Sequence, residues 1–201
     1  MLDERNAFIE YIKRLGVYTR EVENRFDVYY EELLRANAFI NLYSRKMSGG
    51  EVWLKHFLDS VSIFEVYREF GCKRVLDFGT GGGLPGVPIW IVESGSELTF
   101  LDSTQKKIRV LQGICEKLGM RGAMFLSERL ESRVMEEYKG YFDIVVCRSV
   151  KVTEVLLEAM KGVLKVGGRM FLYKGKMENG EWTMENGEWK MDNGKWKMGN
   201  G

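Results

Sequence analysis

The segment best suited to chemistry is Asp77-Phe78-Gly79-Thr80-Gly81-Gly82-Gly83-Leu84-Pro85-Gly86. Glycines let a main chain turn sharply and approach a bound molecule closely, because no Cβ intervenes. A phosphate-cradling loop would end in Gly-Lys-Ser/Thr, whereas Val87 follows Gly86. A dinucleotide fingerprint G-x-G-x-x-G can be drawn through Gly81, Gly83 and Gly86. Its first glycine should close the strand directly, and Gly81 lies three residues past Phe78. The spacing D-x-G-x-G-x-G is met in phase with the strand end by Asp77, Gly79, Gly81 and Gly83. A carboxylate ahead of the turn suits a cationic ligand and repels a pyrophosphate, which is the pattern of S-adenosylmethionine (SAM) sites. A purely structural glycine turn uses the same residues.

Asp102 strengthens the SAM reading. It closes the next apolar run, near the offset of roughly 20 residues at which an acid meets ribose hydroxyls in nucleotide-binding α/β folds. Its carboxylate can accept two hydroxyl hydrogen bonds; alternatively it caps a helix beginning near Ser103. Ser127 to Glu131 follow the third run, where an adenine edge would sit. Cys147-Arg148-Ser149 follow the fourth and face the same crevice.

The elements that must hold these residues are legible in the periodicity. Short apolar runs, Arg74–Phe78, Leu98–Leu101, Ala123–Leu126, Phe142–Cys147 and Arg169–Tyr173, alternate with helix-compatible stretches such as 104–118 and 152–164. That alternation predicts βαβ units, hence an α/β fold with a mostly parallel, doubly wound sheet. Right-handed crossovers then bring every loop that follows a strand to one ligand-binding edge. Residues 1–70 instead repeat apolar positions at helical spacing, with Gly49-Gly50 breaking the second helix from the third. From Met177 the chain repeats seven-residue units carrying Asn-Gly, a strong turn signal. These units predict either a small β-meander with Trp and Met on one face or a low-complexity tail. Three segments follow: a helical extension (1–70), a Rossmann-like core (71–176) and a repeat tail (177–201).

The 201 residues include 30 basic and 29 acidic side chains and are 45% hydrophobic, enough for one medium domain. A net charge of +1 excludes a polybasic nucleic-acid coat but allows a local basic patch. No apolar run approaches the roughly 18 residues of a membrane span, and residues 1–15 are unlike a signal peptide. Three cysteines without metal-ligand spacing and a single histidine predict no metal site and no disulfide framework. A cytoplasmic location, with ordinary buried thiols, is expected.

His56-Phe57-Leu58-Asp59-Ser60, together with Val75-Leu76-Asp77-Phe78-Gly79-Thr80-Gly81-Gly82-Gly83-Leu84-Pro85-Gly86-Val87-Pro88, resembles the bacterial small-subunit ribosomal RNA guanine-N7 methyltransferases, the RsmG or GidB family. Leu101-Asp102-Ser103 with Lys106-Lys107, Arg148-Ser149 and Lys174-Gly175 also fit, so the resemblance covers about residues 30–175. It implies a SAM-dependent, class I methyltransferase fold with an N-terminal helical extension, acting as a monomer on guanine 527 of 16S ribosomal RNA. It further implies cofactor contacts at Gly79, Leu84, Leu130, Glu131 and Arg148, beside Gly81 of the glycine motif and Asp102 as the ribose partner. The chain departs from the family in having Ser149 where alanine is usual. It also carries the Asn-Gly repeats in place of a last helix and strand pair. Alternatives are a methyltransferase with a small-molecule or protein acceptor, or a SAM-binding protein inactivated by loss of those strands.

The two prolines, Pro85 and Pro88, both lie in or beside the glycine loop. This excludes the Asp/Asn-Pro-Pro-aromatic motif of amino-group methylation and a Pro-Cys nucleophile for cytosine C5. What remains is attack by an atom with a free lone pair, and guanine N7 is one. RNA contacts are expected from Lys106, Lys107, Arg109, Arg148, Lys151, Lys174 and Lys176. Cys147 is expected to be a buried core thiol and His56 a satisfied packing histidine, with Asp59 and Ser60 tying its helix to the sheet edge.

Overall fold

The computed structural model describes residues 2–70, 73–173, 181–185 and 188–192. Five parallel strands, β1 (Arg74–Phe78), β2 (Glu97–Leu101), β3 (Met124–Leu126), β4 (Phe142–Arg148) and β5 (Leu164–Tyr173), form one sheet in the order β3-β2-β1-β4-β5. Strand residues alternate between two cores, as the period of two requires. Val75, Ile144 and Val146 enter one apolar cluster, whereas Leu76, Val145 and Cys147 enter the other. The order reverses at β1, whose neighbours are β2 and β4, so the crevice beyond its carboxyl end is the expected ligand site.

The N-terminal helices complete the first of these cores. Helix α1 (Leu2–Arg14) precedes α2 (Arg20–Phe39), which Thr19 caps by accepting from Val22 N at 3.0 Å. The buried face of α2 runs Val22, Phe26, Tyr29, Leu33, Asn37, the spacing of one helical stripe. Phe8, Phe26, Tyr29 and Trp53 surround Phe57, with ring centroids 5.1 to 6.1 Å from it. Tyr29 reaches further and donates its hydroxyl to the Gly82 carbonyl at 2.9 Å, so the extension touches the glycine loop directly.

The helix break differs from the expectation. Gly49 and Gly50 open α3 (Gly49–Val52) rather than ending α2, because Ser48 and Glu51 form a capping box around them. The break is the loop of residues 40–48, folded back by Asn37 Oδ1, which accepts from Leu42 N and Tyr43 N at 2.8 and 3.0 Å. Beyond α3 the helix widens into a π-helical turn, Trp53–Leu58, then closes through α4 (Asp59–Val61) and α5 (Phe64–Tyr67). Helices α6 (Gly86–Val92), α7 (Gln105–Lys117) and α8 (Glu154–Val163), with a 3-10 turn at Arg133–Tyr138, make the crossovers of the sheet.

In the repeats, β6 (Glu181–Glu185) and β7 (Glu188–Asp192) pair antiparallel as a separate two-stranded sheet. The register sets Trp182 against Met191 and Met184 against Trp189. This pair is compatible with the meander alternative, and among the described residues it does not add a strand to β5. The remaining repeat residues lie outside the described residues.

Candidate active site

A cavity of about 740 Å³ opens over the carboxyl ends of β1, β2, β3 and β4. All seven residues expected at the cofactor line it: Gly79, Gly81, Leu84, Asp102, Leu130, Glu131 and Arg148. Gly79 and Gly81 adopt φ of 71° and 54°, the left-handed region that favours glycine. A Cβ on Gly79 would also run into the Cγ2 methyl of Val150. Ser149 joins Arg148 to Val150 and is itself left-handed at φ 56°, the one such non-glycine among the described residues.

Asp102 is neither free nor the helix cap. Its Oδ1 accepts from Thr104 N at 2.8 Å and its Oδ2 from Gly81 N at 3.1 Å, so it ties the glycine loop to the turn after β2. Thr104 occupies the cap position, because α7 begins only at Gln105. Each carboxylate oxygen can accept a second bond, which leaves acceptor capacity toward the cavity.

Asp77 departs from the sequence expectation. It is fully buried and is not part of the cavity wall, so it does not face a cationic ligand. Its Oδ2 accepts from Thr80 Oγ1 at 2.7 Å and Gly86 N at 2.8 Å, pinning both ends of the glycine loop, while Oδ1 has no partner among the described residues. Burial raises its pKa from 3.8 to about 7, against the opposing pull of those two hydrogen bonds.

Arg148 is expected to point at the cofactor, and it does line the cavity. Its terminal nitrogens nevertheless reach into the π-helical turn. Nη1 donates to the His56 carbonyl at 3.2 Å and lies 3.4 Å from Asp59 Oδ2. Nη2 donates to the Lys55 carbonyl and contacts His56 Nδ1 at 2.6 Å. Ser60 donates to the His56 carbonyl at 2.6 Å, and Tyr173 on β5 donates to the Ser60 carbonyl at 2.7 Å. Asp59 and Ser60 therefore do tie this helix to the sheet edge. His56 is not the satisfied packing residue expected, since its Nε2 is buried without a partner among the described residues. Burial, then the adjacent Arg148 charge, lowers its pKa to about 4. Cys147 is buried and its thiol is pushed up to about 12, which makes it unreactive, as expected.

Among the described basic candidates only Lys107 and Arg148 line the cavity, and Lys107 Nζ stands 3.8 Å from Asp102. Lys106, Arg109 and Lys151 are exposed outside it, and Lys174 and Lys176 lie outside the described residues. The sequence reading missed one wall, made by Leu42, Tyr43, Ser44 and Met47 of the loop from the helical extension. The available signal was Asn37, a polar residue in register with the buried stripe of α2. Among the described residues no three His, Cys, Asp or Glu side chains group as a metal site, and no helix is long and apolar enough to cross a membrane.

Comparison with known proteins agrees with this geometry. The family model for GidB, rRNA small subunit methyltransferase G, matches residues 22–199, a span that includes the repeats. The chain is 34% identical to ribosomal RNA small subunit methyltransferase G of Mycoplasma capricolum, over 87% of this chain and 73% of that protein. It is likewise 34% identical to the protein of that name from Macrococcus caseolyticus, over 84% of this chain and 71% of that one. In fold it resembles a candidate protein-L-isoaspartate O-methyltransferase of Plasmodium falciparum solved with S-adenosyl-L-homocysteine. That match has a TM-score of 0.54 and 15% identity, over 93% of this chain and 92% of that one. A methyltransferase of Podospora anserina, PaMTH1, gives a TM-score of 0.53 at 14% identity, over 73% of this chain and 61% of that one. The shared feature at these identities is the Rossmann-like methyltransferase fold.

The buried carboxyl of Asp77 makes a prediction about stability. Its folded pKa of about 7 lies above the ordinary 3.8, so the folded state holds a proton that the unfolded chain releases. Its contribution is then most favourable at low pH and declines as pH rises from about 4 to about 7. His56, whose pKa is lowered to about 4, has the opposite slope. Asp77→Asn leaves His56 in place and removes only the Asp77 decline. Urea unfolding of both proteins across this range should show the variant gaining on the wild type as pH rises. A constant difference contradicts the assignment.

Proposed function

The chain belongs to the rRNA small subunit methyltransferase G (GidB) family, and from that membership we propose that it methylates N7 of a guanine in 16S ribosomal RNA, guanine 527. It is a SAM-dependent rRNA small-subunit methyltransferase. The supporting observation at the site is the convergence of the glycine loop, Asp102, the turn after β3 and Arg148 on one cavity at the switch point of the sheet.

These residues fit SAM. The turn Glu128–Glu131 after β3 would flank the adenine, and Asp102 after β2 would accept from the ribose hydroxyls. The Gly79–Gly82 main chain would lie under the methionine end. SAM supplies an electrophilic methyl group on a sulfonium. The acceptor base then enters from the β4 side, past Arg148 and Ser149. The protein's contribution is placement: aligning a lone pair with that methyl is worth up to about 7–11 kcal/mol in favourable systems. Guanine N7 carries no proton, so no side chain has to remove one. The site suits that chemistry, because His56 is held neutral with a pKa near 4 and the Cys147 thiol is locked in its protonated form. The reading takes the chain as a cytoplasmic monomer, acting without a metal on small-subunit RNA or on the assembled subunit.

Labelled SAM offered with 16S RNA, with small subunits and with no RNA tests the activity. Label should enter the RNA of one of the first two. The single-turnover rate should lack a basic limb between about pH 6 and 9, because no general base takes part. A rate climbing tenfold per pH unit would point instead to an acceptor that must be deprotonated. The site assignment has its own test in Asp102→Asn, which halves the carboxylate's acceptor capacity. SAM affinity by calorimetry should fall about tenfold to a hundredfold, given roughly 1.5–3 kcal/mol for a hydrogen bond to a charged group. Unchanged affinity would leave Asp102 with only its turn-holding role.

A further inference from the structure

His56 is more than nine-tenths buried, in the π-helical turn beside Arg148. Its Nδ1 lies 2.6 Å from Arg148 Nη2. The same Nδ1 lies 3.1 Å from the Lys55 carbonyl, but a guanidinium can only donate and its contact is the shorter, so Nδ1 accepts from Arg148 and the neutral ring carries its proton on Nε2. With the pKa lowered to about 4 by burial and by Arg148, that tautomer is the one present near neutral pH. Arg148 thus fixes both the orientation of the imidazole and the nitrogen that donates. Nε2 has no acceptor among the described residues, although His56 lines the cavity together with Arg148, Ser149 and Gly79. Buried donors are normally paired, so this one marks a place where a bound molecule supplies the acceptor.

The position of His56 indicates which molecule. With the ribose on Asp102 after β2 and the methionine end over the β1 loop, the base to be methylated occupies the β4 side, where Arg148 holds His56. Guanine presents N7 and O6 side by side as acceptors, whereas adenine has an amino donor in place of O6. We propose that the Nε2–H of His56 donates to O6 of the target guanine, positioning the adjacent N7 and rejecting adenine. The assignment rests on the guanine-N7 reading above. Tyr43, which also lines the cavity, meets the imidazole edge-on at 5.3 Å between ring centroids, and entry of the base requires it to shift. A neutral donor is suited to this place, because it adds no positive charge beside a sulfonium or a methylated, cationic guanine. No proton is transferred, so His56 acts by recognition.

The test uses small-subunit RNA with guanine or 2-aminopurine at the methylated position; 2-aminopurine keeps N7 and lacks O6. Single-turnover rates at saturating SAM are compared for wild type, His56→Phe and His56→Gln, with SAM affinity measured in parallel. Wild type should favour guanine by about tenfold or more, the scale of one buried donor left unpaired. His56→Phe should lose that preference, slowing on guanine without slowing further on 2-aminopurine, at a SAM affinity close to wild type. His56→Gln, which restores an N–H donor, should recover part of the preference. An unchanged guanine preference in His56→Phe overturns the inference. So does a wild type indifferent to the two bases, a comparison that needs no variant to fold. Either result leaves the methyltransferase reading standing. A wild type that transfers no methyl to small-subunit RNA overturns both.

Discussion

The guanidinium of Arg148 reaches from the end of β4 into a turn of helix that belongs, in sequence, to another part of the chain. It meets the carbonyls of Lys55 and His56, the imidazole Nδ1 and, at 3.4 Å, the carboxylate of Asp59. A buried cation is tolerated only where such acceptors converge. The π-helical widening at Trp53–Leu58 is where the helix offers them. Such widenings recur at functional sites, where the extra residue leaves main-chain groups outside the ordinary ladder. This contact sets the helical extension against the ligand edge of the sheet. The loop of residues 40–48, which walls the cavity, is carried between α2 and the widened helix, so its placement depends on the same contact.

A second effect of the arrangement is electrostatic. Burial, reinforced by the Arg148 charge, depresses the charging of His56, while burial raises the Asp77 carboxyl to about 7 and keeps the Cys147 thiol protonated. Of these groups only His56 lines the cavity, and it is a weak base, while Asp77 and Cys147 are buried outside the cavity wall. Such a site selects an acceptor that arrives with its own lone pair, and it rewards precise placement over proton transfer. Asp77 and Asp102 divide the work of shaping the glycine loop. The former closes it from beneath through Thr80 and Gly86, and the latter anchors Gly81 from the side.

Much of this was legible in the sequence, for identifiable reasons. The central strands β1, β2 and β4 are short apolar runs buried along most of their length, and all five strands were located within a few residues, although β5 begins earlier, at Leu164. The seven expected cofactor residues follow strands of a parallel sheet, so topology alone gathers them on one edge. Side-chain hydrogen bonding across the fold was not legible. Nothing local shows that Arg148 would turn toward Lys55 and His56, nor that Asp77 would face inward. Gly49-Gly50 read as a breaker because glycine disfavours helices. The capping box of Ser48 and Glu51 outweighs that cost at a first turn, where little ladder is yet formed. In the repeats, β6 and β7 pair antiparallel, but turn chemistry carries no information on what such a pair packs against.

The central claim is that a methyl group goes to a ring nitrogen that needs no activation, and the chemical identity of the product addresses it most directly. A guanine methylated at N7 is cationic, and borohydride reduction followed by aniline cleaves the RNA chain there. Small-subunit RNA modified by this protein, treated in that way and read by primer extension, should show one new scission at guanine 527. RNA that carries the methyl label yet resists scission would contradict the account, since it would place the methyl on a different atom.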